Sequence, residues 1–503
     1  MELSFLSAVS FLVQHATVSN VLLFLAVFLL VGDYVKRKAP KNFPPGPFSW
    51  PFIGSLPSFD VRELDVVIGK MSEKYGEIIG MHIGSTKVVI INGLQTVKEA
   101  FVQQGDSFAG RPTPPLIKDL FKELGVVHSN GHNWKQQRRF ALSTLRNFGM
   151  GKRSLEERIN EELRYLTDEI EEEKGQPFDP HIYINSSVSN VICAITFGDR
   201  FDYQDPEFQE ILHIIGNMSK LHETLTAQLY NVFPQIMKHF PGSHQQLFRY
   251  QNILEMFIRK SVLKHRDNWN PSEPRDFIDC YLTEIEKFKD DPSSCFDEDN
   301  LVQSTLDLFL AGTETTSATL QWAILYMAKY THIQEKVQEE IDRVLGHARQ
   351  PLMENRKSMP YTNAVIHEVQ RFSNIVSIGV PRLTTNDATV GGFHLPKGTI
   401  VIPNFTSLLF DQNEWKTSDT FNPENFLENV EFQKREAFVP FSLGNRVCLG
   451  EQLAKMELFL YFTSLLQRFS FKAPKDVQLG TSKCKRGIPR YPLPYKICAV
   501  SRC

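Results

Sequence analysis

With 503 residues, 55 basic against 58 acidic side chains and a net charge of −3, the chain is nearly neutral for its size, which argues against a broad nucleic-acid footprint. Its seven cysteines, Cys193, Cys280, Cys295, Cys448, Cys484, Cys498 and Cys503, are odd in number and lack a CxxC pair, so a disulfide framework and a zinc cluster are both disfavoured and free thiols in a reducing compartment are expected. No repeat period and no low-complexity linker follow the first few dozen residues, so one large folded unit is expected.

Leu3 to Gly32 carries no charged residue and Val21 to Val31 is apolar throughout, where a membrane span needs about 20 largely apolar residues. Gln14, His15, Ser19 and Asn20 interrupt the stretch, which keeps a cleaved secretory signal as the competing reading. Against cleavage, Glu2 precedes the apolar core and Lys36, Arg37, Lys38 and Lys41 follow it; the positive-inside rule then holds the remaining bulk in the cytosol. Residues 1–35 are therefore expected to be a signal anchor, residues 36–47 a basic, proline-rich linker and residues 48–503 the folded body. The linker ends in Phe43-Pro44-Pro45-Gly46-Pro47, whose fixed proline dihedrals disfavour helix and make a stiff joint.

Beyond the joint, Ile78 to Ile83 and Lys87 to Ile91, separated by Gly84-Ser85, predict a short antiparallel pair. A second pair is expected near Thr389 to Ile402, turning at Pro396-Lys397-Gly398. Helical periodicity dominates elsewhere, at Ser154 to Glu173, Leu301 to Tyr330, His332 to Leu345 and Leu449 to Phe469, so the class is mainly α with minor β. Between Leu221 and Pro241 the apolar residues exceed one core stripe; burial is the expectation, with a greasy membrane-facing surface as the alternative.

The segment Phe438-Val439-Pro440-Phe441-Ser442-Leu443-Gly444-Asn445-Arg446-Val447-Cys448-Leu449-Gly450-Glu451 places a cysteine at the start of an amphipathic helix. Helix dipole, free amides and Arg446 are expected to favour a thiolate there. Gly444 permits a tight turn, Gly450 permits close approach of the backbone to a flat ligand, and Phe441 can shield the sulfur from water. A cysteine before a helix is more often a small buried hydrophobe, but the Phe-x-x-Gly-x-Arg-x-Cys-x-Gly spacing reverses that reading and suggests haem iron. In the middle of the long apolar helix, Ala311-Gly312-Thr313-Glu314-Thr315-Thr316-Ser317 brings hydroxyls and a carboxylate that are costly unless partnered. Thr315 can take a local backbone hydrogen bond and Glu314 can carry protons inward; a polar face turned to solvent or a partner helix is the plain alternative.

The cysteine segment resembles the haem-binding signature of the cytochrome P450 superfamily. The Pro-Pro-Gly-Pro joint, Trp134-Lys135-Gln136-Gln137-Arg138-Arg139 and Arg146-Asn147-Phe148-Gly149-Met150-Gly151 are similar to its vertebrate microsomal family 2, nearest its fatty-acid-epoxidising branch. The resemblance implies the cytochrome P450 fold, with a long distal helix over haem, small antiparallel sheets and an N-terminal transmembrane anchor, the haem-binding catalytic domain spanning 48–503. It implies haem b with Cys448 as thiolate ligand to iron and Glu314 and Thr315 as the acid–alcohol pair. Arg111, Trp134, Arg138, Arg382 and Arg446 are implied as donors to the haem propionates. Glu368, Arg371 and Asn425 fall on a structural triad, although arginine or histidine is more familiar at the position of Asn425. Pocket-wall positions fall on Leu116, Phe121, Asp307, Leu308, Ala311, Val376 and Val380, all apolar except Asp307, which suits a lipophilic guest.

No Gly-x-Gly-x-x-Gly dinucleotide fingerprint is present, so electrons from NADPH are expected to arrive through a partner; the resemblance implies a membrane flavoprotein, NADPH–cytochrome P450 reductase, with cytochrome b5 as an additional donor. Arg138, Arg139, Lys434 and Arg435 are candidate cationic contacts for that acidic partner, against the default of a solvated face. The expected activity is NADPH- and O2-dependent oxidation of lipophilic small molecules at the cytosolic face of the endoplasmic reticulum membrane, by epoxidation or hydroxylation of polyunsaturated fatty acids such as arachidonic acid. The alternatives are a xenobiotic, drug or steroid hydroxylase and, in other classes, a haem-thiolate isomerase or a non-catalytic haem binder. Retention of both Glu314 and Thr315 favours the monooxygenase, because peroxide rearrangement needs no proton delivery.

Overall fold

The computed structural model describes residues 18–58, 64–148, 153–481, 483–485 and 487–502. The first 17 residues of the expected anchor, Gly149-Met150-Gly151 of the family-like segment and Cys503 lie outside the described residues. The chain groups into two compact units, one of residues 1–108 and 381–403, the other of residues 109–380 and 404–503.

In the first unit, α1 (Val18–Arg37) is long and apolar enough to cross a membrane, with only 6% of its most apolar window buried. Its charged residues, Asp33, Lys36 and Arg37, fall near its C-terminal end, which leaves the apolar run intact and puts cations at the negative end of the helix dipole. The predicted first hairpin is present: β1 (Ile78–Ile83) pairs antiparallel with β2 (Thr86–Ile91), turning at Gly84-Ser85. The proline joint lies directly over β1, with Gly80 N donating to Pro45 O at 2.8 Å. A Cβ on Gly46 would come 1.7 Å from Gly80 O, so only glycine fits that crossing.

The second predicted hairpin is rearranged. β3 (Arg382–Leu383) precedes a short pair, β4 (Ala388–Val390) with β5 (Phe393–Leu395), that turns at Gly391 and Gly392, both at positive φ, as a two-residue hairpin turn requires. Pro396-Lys397-Gly398 leads instead into β6 (Ile400–Pro403), which runs parallel to β2 and antiparallel to β3. Alternation alone does not tell which neighbour a strand chooses, and the paired glycines were the stronger signal.

The second unit is helical. Its main helices are α2 (Gly131–Asn147), α3 (Arg153–Glu172), α4 (Pro180–Thr196), α5 (Pro206–His222), α6 (Glu298–Lys329), α7 (Thr331–Leu345), α8 (Pro360–Ser373) and α9 (Glu451–Arg468), and α3, α6, α7 and α9 bear out the four predicted periodic runs to within three residues at each end. A sheet of β7 (Phe469–Lys472) and β8 (Cys498–Ser501) closes the C-terminal end. α6 is the central element: Asp297 caps its first turn by accepting from Asn300 N, and Lys329 closes its last. It lies so close to α4 that a Cβ on Gly312 would meet Ile192 Cδ1 at 2.4 Å. The apolar segment after α5 is not buried as expected: Leu225, Phe233, Ile236 and Phe240 are exposed, Leu229, Val232 and Met237 are half-buried, and Ala227 and Tyr230 are buried.

α8 carries the pair Glu368 and Arg371, three residues apart on one helix face and both fully buried. Arg371 Nε and Nη2 donate to the two Glu368 oxygens at 2.8 Å each. Its Nη1 donates to Leu409 O and Ser418 O, and Nη2 reaches Thr420 O at 3.2 Å. Asn425 supplies the expected third contact as a neutral amide, its Nδ2 donating to Glu368 Oε1 at 3.2 Å and to Thr417 O at 3.0 Å. From Asn425 the hold passes on: Arg435 Nε donates to Asn425 O, Phe438 N donates to Arg435 O, and the Phe438 ring packs on His367 and Phe426. The segment entering the cysteine loop is thereby tied to α8. Arg371→Ala strands the Glu368 carboxylate in the core and is expected to destabilise the fold by about 3–5 kcal/mol, and Arg371→Lys is not expected to restore it because an ammonium lacks the planar fork. Urea unfolding of both variants, with haem retention as a second readout, checks this.

Candidate active site

The cysteine loop is shaped by its own backbone. Ser442 N donates to Val439 O, Val447 N donates to Gly444 O, and Cys448 N donates to Phe441 O at 2.9 Å. Gly444 sits at φ 71 as the tight turn demands, and Ser442 at φ 66 shares the left-handed region. α9 begins at Glu451, three residues after Cys448. The Cys448 side chain keeps accessible surface, whereas burial among neighbouring groups pushes its thiol above the ordinary cysteine range and the Gly450 amide and Arg138 pull it back down. A bound metal cation converts such a thiol to thiolate.

The expectation that Arg446 supplies the local positive charge needs correction. Its guanidinium donates to Ala109 O and Ser129 O at 2.8 Å and lies 3.8 Å over the Trp134 ring, so it bolts backbone segments together. Arg138, whose Nη2 donates to Val447 O at 2.7 Å, is the cation that acts on the sulfur. Arg111 is buried, with Nη1 donating to Val380 O at 3.0 Å; burial, and then repulsion by Arg138, lower it to about 10. Trp134 Nε1 is buried with no hydrogen-bond partner. A buried and a half-buried guanidinium of like charge beside an unused indole donor fit an anionic group, as haem propionates would supply. A Cβ on Gly450 would meet nothing within 4 Å, so the backbone next to the sulfur admits a flat ligand. Phe441 stands beside Lys455, whose Nζ is 5.7 Å from its ring. The last expected propionate donor, Arg382, belongs to the first unit, where it is buried and stacks 4.1 Å from the Phe101 ring centre.

On α6, Thr315 Oγ1 donates to Ala311 O at 2.9 Å, and Thr319 Oγ1 donates to Thr315 O at the same distance. These are the local backbone bonds expected of mid-helix threonines. Glu314 is buried, and its Oε2 has no hydrogen-bond partner. Burial raises its carboxyl to about 7, against Tyr491, Lys220 and Lys485, which favour ionisation. No hydrogen bond joins the Glu314 and Thr315 side chains, which point about 100° apart around the helix.

Asp307 is not a pocket wall. Its Oδ2 accepts from Val126 N at 2.7 Å and Val127 N at 2.9 Å, and its Oδ1 accepts from Gln303 Nε2 at 2.8 Å. With Arg446 it fixes the loop before α2, which is why a carboxylate is tolerated there. Leu116 is fully buried, and Phe121 is buried with its ring stacked on His128 at 4.4 Å. Leu308 and Val376 are half-buried, while Ala311 and Val380 are exposed and offer apolar surface to a guest. Of the cationic candidates for a donor partner, Arg138 and Arg435 turn inward to carbonyls, whereas Arg139 and Lys434 are exposed.

Sequence reasoning missed one acid. Glu457 on α9 is buried, accepts from Thr316 Oγ1 at 3.1 Å and has its other oxygen unpartnered; burial raises it to about 8. Its signal was a lone carboxylate in the run Met456-Glu457-Leu458-Phe459-Leu460, which has no partner at helical spacing.

Residues 44–499 match the family model for cytochrome P450. The chain is 53% identical over 481 residues to cytochrome P450 2J2 of Homo sapiens and 52% identical over 483 residues to cytochrome P450 2J1 of Oryctolagus cuniculus, each covering 96% of both sequences. It is 43% identical over 485 residues to cytochrome P450 2B4 of Oryctolagus cuniculus, covering 96% of this chain and 98% of that one. An exposed cysteine in a tightly turned loop, cationic donors beside it and a match over nearly the whole chain lead to one conclusion: the chain belongs to the cytochrome P450 family and is a haem-thiolate monooxygenase that uses NADPH through a reductase.

Proposed function

We propose that this monooxygenase epoxidises and hydroxylates polyunsaturated fatty acids such as arachidonic acid, on the cytosolic face of the endoplasmic reticulum membrane, with electrons from NADPH–cytochrome P450 reductase and cytochrome b5. The observation that carries the reading is the apolar, accessible surface of Leu308, Ala311, Val376 and Val380, on the helix of Thr315 and on the segment whose Val380 carbonyl engages Arg111. Family 2 relatives are generally reductase-dependent. Exposed Arg139 and Lys434 suit an acidic donor surface. The span α1 and the exposed apolar segment around Phe233 to Phe240 support membrane residence.

Haem, when bound, supplies the iron-centred activation of dioxygen by which one oxygen atom enters the substrate and the other leaves as water. Cys448 is the residue that would hold its iron. Arg111, Trp134, Arg138, Arg382 and Arg446 would hold its propionates, Phe441 would shield the sulfur, and Gly450 would give room to the ring. Glu314 holds a proton at its unpartnered Oε2 near neutral pH, as a group passing protons inward requires. Thr315 Oγ1, engaged with Ala311 O, orients the hydrogen bonds that receive it. Glu368, Arg371 and Asn425 hold the loop and take no part in the chemistry.

Cys448→Ser is expected to abolish the strongly red-shifted Soret band of the reduced, carbon monoxide-treated protein, together with turnover. Reconstitution with reductase and arachidonic acid tests the substrate: epoxide and hydroxide products support it, and turnover of steroids or drugs without fatty-acid products overturns it. Thr315→Ala is expected to retain haem but to uncouple NADPH consumption from product and release peroxide; unchanged coupling removes Thr315 from the proton path. The folded Glu314 carboxyl titrates near 7 against an ordinary 4.5, so its contribution to stability is complete below pH 4.5 and is lost as pH rises through about 7. Glu314→Gln should flatten that decline by ~3 kcal/mol, read from unfolding midpoints across that interval.

A further inference from the structure

α1 does not end in a free tether. Arg37 Nε donates to Asp33 Oδ2 at 2.6 Å, and Arg37 Nη1 donates to Ser49 O at 2.9 Å and to Ser49 Oγ at 3.0 Å. Phe52 N donates to the same Asp33 oxygen at 3.2 Å. Both partners are largely buried, with side-chain exposures of 12% for Arg37 and 8% for Asp33. The chain after the proline joint thus folds back against the end of the apolar helix and is clasped there by an ion pair one helical turn long.

The clasped segment is itself rigid. Trp50 and Gly54 exchange backbone hydrogen bonds at 2.8 and 2.9 Å, closing a tight turn. Ser55 N donates to His82 O at 2.7 Å, which seats the turn on β1. Phe52 is held at φ 62, a left-handed conformation that a bulky side chain seldom adopts and that persists only where the surroundings enforce it. This turn presents its large apolar side chains outward: Phe48 is 70% exposed, Trp50 52%, Phe52 44% and Ile53 42%. Phe48 and Trp50 meet edge to face at 5.4 Å. Four large apolar side chains at the tip of one strained turn form a patch that a soluble surface does not sustain without a partner.

We propose that the turn 48–53 is a membrane wedge, with the interfacial layer of the bilayer as its occupant, and that the Asp33–Arg37 clasp sets its depth. The inference rests on the reading of α1 as a membrane span. The occupant follows from covalent continuity: the clasp fixes the turn beside the last turn of a 20-residue apolar helix, so when that helix is inserted its C-terminal end and the turn lie at one level. Aromatic side chains with one polar edge, as in Trp50, prefer that level. Lys36, Lys38 and Lys41 next to it suit anionic headgroups. Pairing also removes the penalty of bringing Asp33 to the membrane boundary alone.

The test uses the full-length holoenzyme in phosphatidylcholine–phosphatidylserine vesicles containing lipids brominated at shallow or deep chain positions. The signal is the emission of the protein minus that of Trp50→Phe. Expected is quenching of the Trp50 signal by shallow bromines more than by deep ones, and its loss in Asp33→Leu and in Arg37→Leu while both variants still float with the vesicles. Preparations are compared only when they show the thiolate carbon monoxide spectrum, and the wild-type signal decides the wedge even if one variant fails to fold. Quenching of Trp50 by aqueous iodide and not by brominated lipid overturns the wedge. Undiminished lipid quenching in both clasp variants overturns the role of the ion pair. A wild-type chain that does not float overturns the anchor reading as well.

Discussion

A carboxylate and a guanidinium taken wholly out of water lose more hydration than their mutual attraction returns unless nearly every remaining donor and acceptor is used. Glu368 and Arg371 meet that condition: the guanidinium reaches both carboxylate oxygens and several carbonyls between Leu409 and Thr420, and the carboxylate also accepts from Asn422 N at 2.8 Å. What those bonds organise is irregular chain with little secondary structure of its own, and that chain leads to Cys448. The position of the one sulfur on which the chemistry depends is therefore inherited from a pair that never meets the substrate.

The same economy of carbonyl and amide contacts recurs around the site. Asp307 and Arg446 grip the loop before α2 from opposite sides, one accepting its amides and the other donating to its carbonyls. Each is a charged residue made tolerable by backbone dipoles. Glu314 and Glu457 are the contrasting case. Both are buried with one oxygen unpartnered, so their surroundings favour the neutral acid, and α6 and α9 each carry a carboxyl whose titration is raised toward or above neutral pH, where an exposed one would be ionised.

Much of this was legible in the chain. Period and length located the long helices, because their apolar stripes are deep and their ends are capped by charge, as at Asp297 and Lys329. Cys448, Thr315 and Glu368 with Arg371 stood out because polar or reactive residues at fixed spacing in apolar surroundings need a reason. The failures share a cause. Asp307 and Arg446 were assigned by position along the chain, but their directions depend on loops far away in sequence. The second hairpin was misplaced because a turn was read from proline when the glycine pair decided it. Glu457 escaped notice since its partner, Thr316, lies 141 residues away. The exposure of Leu225, Ile236 and Phe240 could not follow from composition, which gives the same apolar count to a core and to a greasy surface.

At the position of Asn425, where the family more often has a cation, the neutral amide leaves the buried cluster with one negative and one positive charge. A second cation there would leave a net charge inside the protein, held by a field that reaches far through a poor dielectric. As it stands, the cluster presents to its surroundings only the weak field of a closed dipole. Mobile ions have little to screen, so the tie between α8 and the cysteine loop should hold equally well in dilute buffer and in concentrated salt.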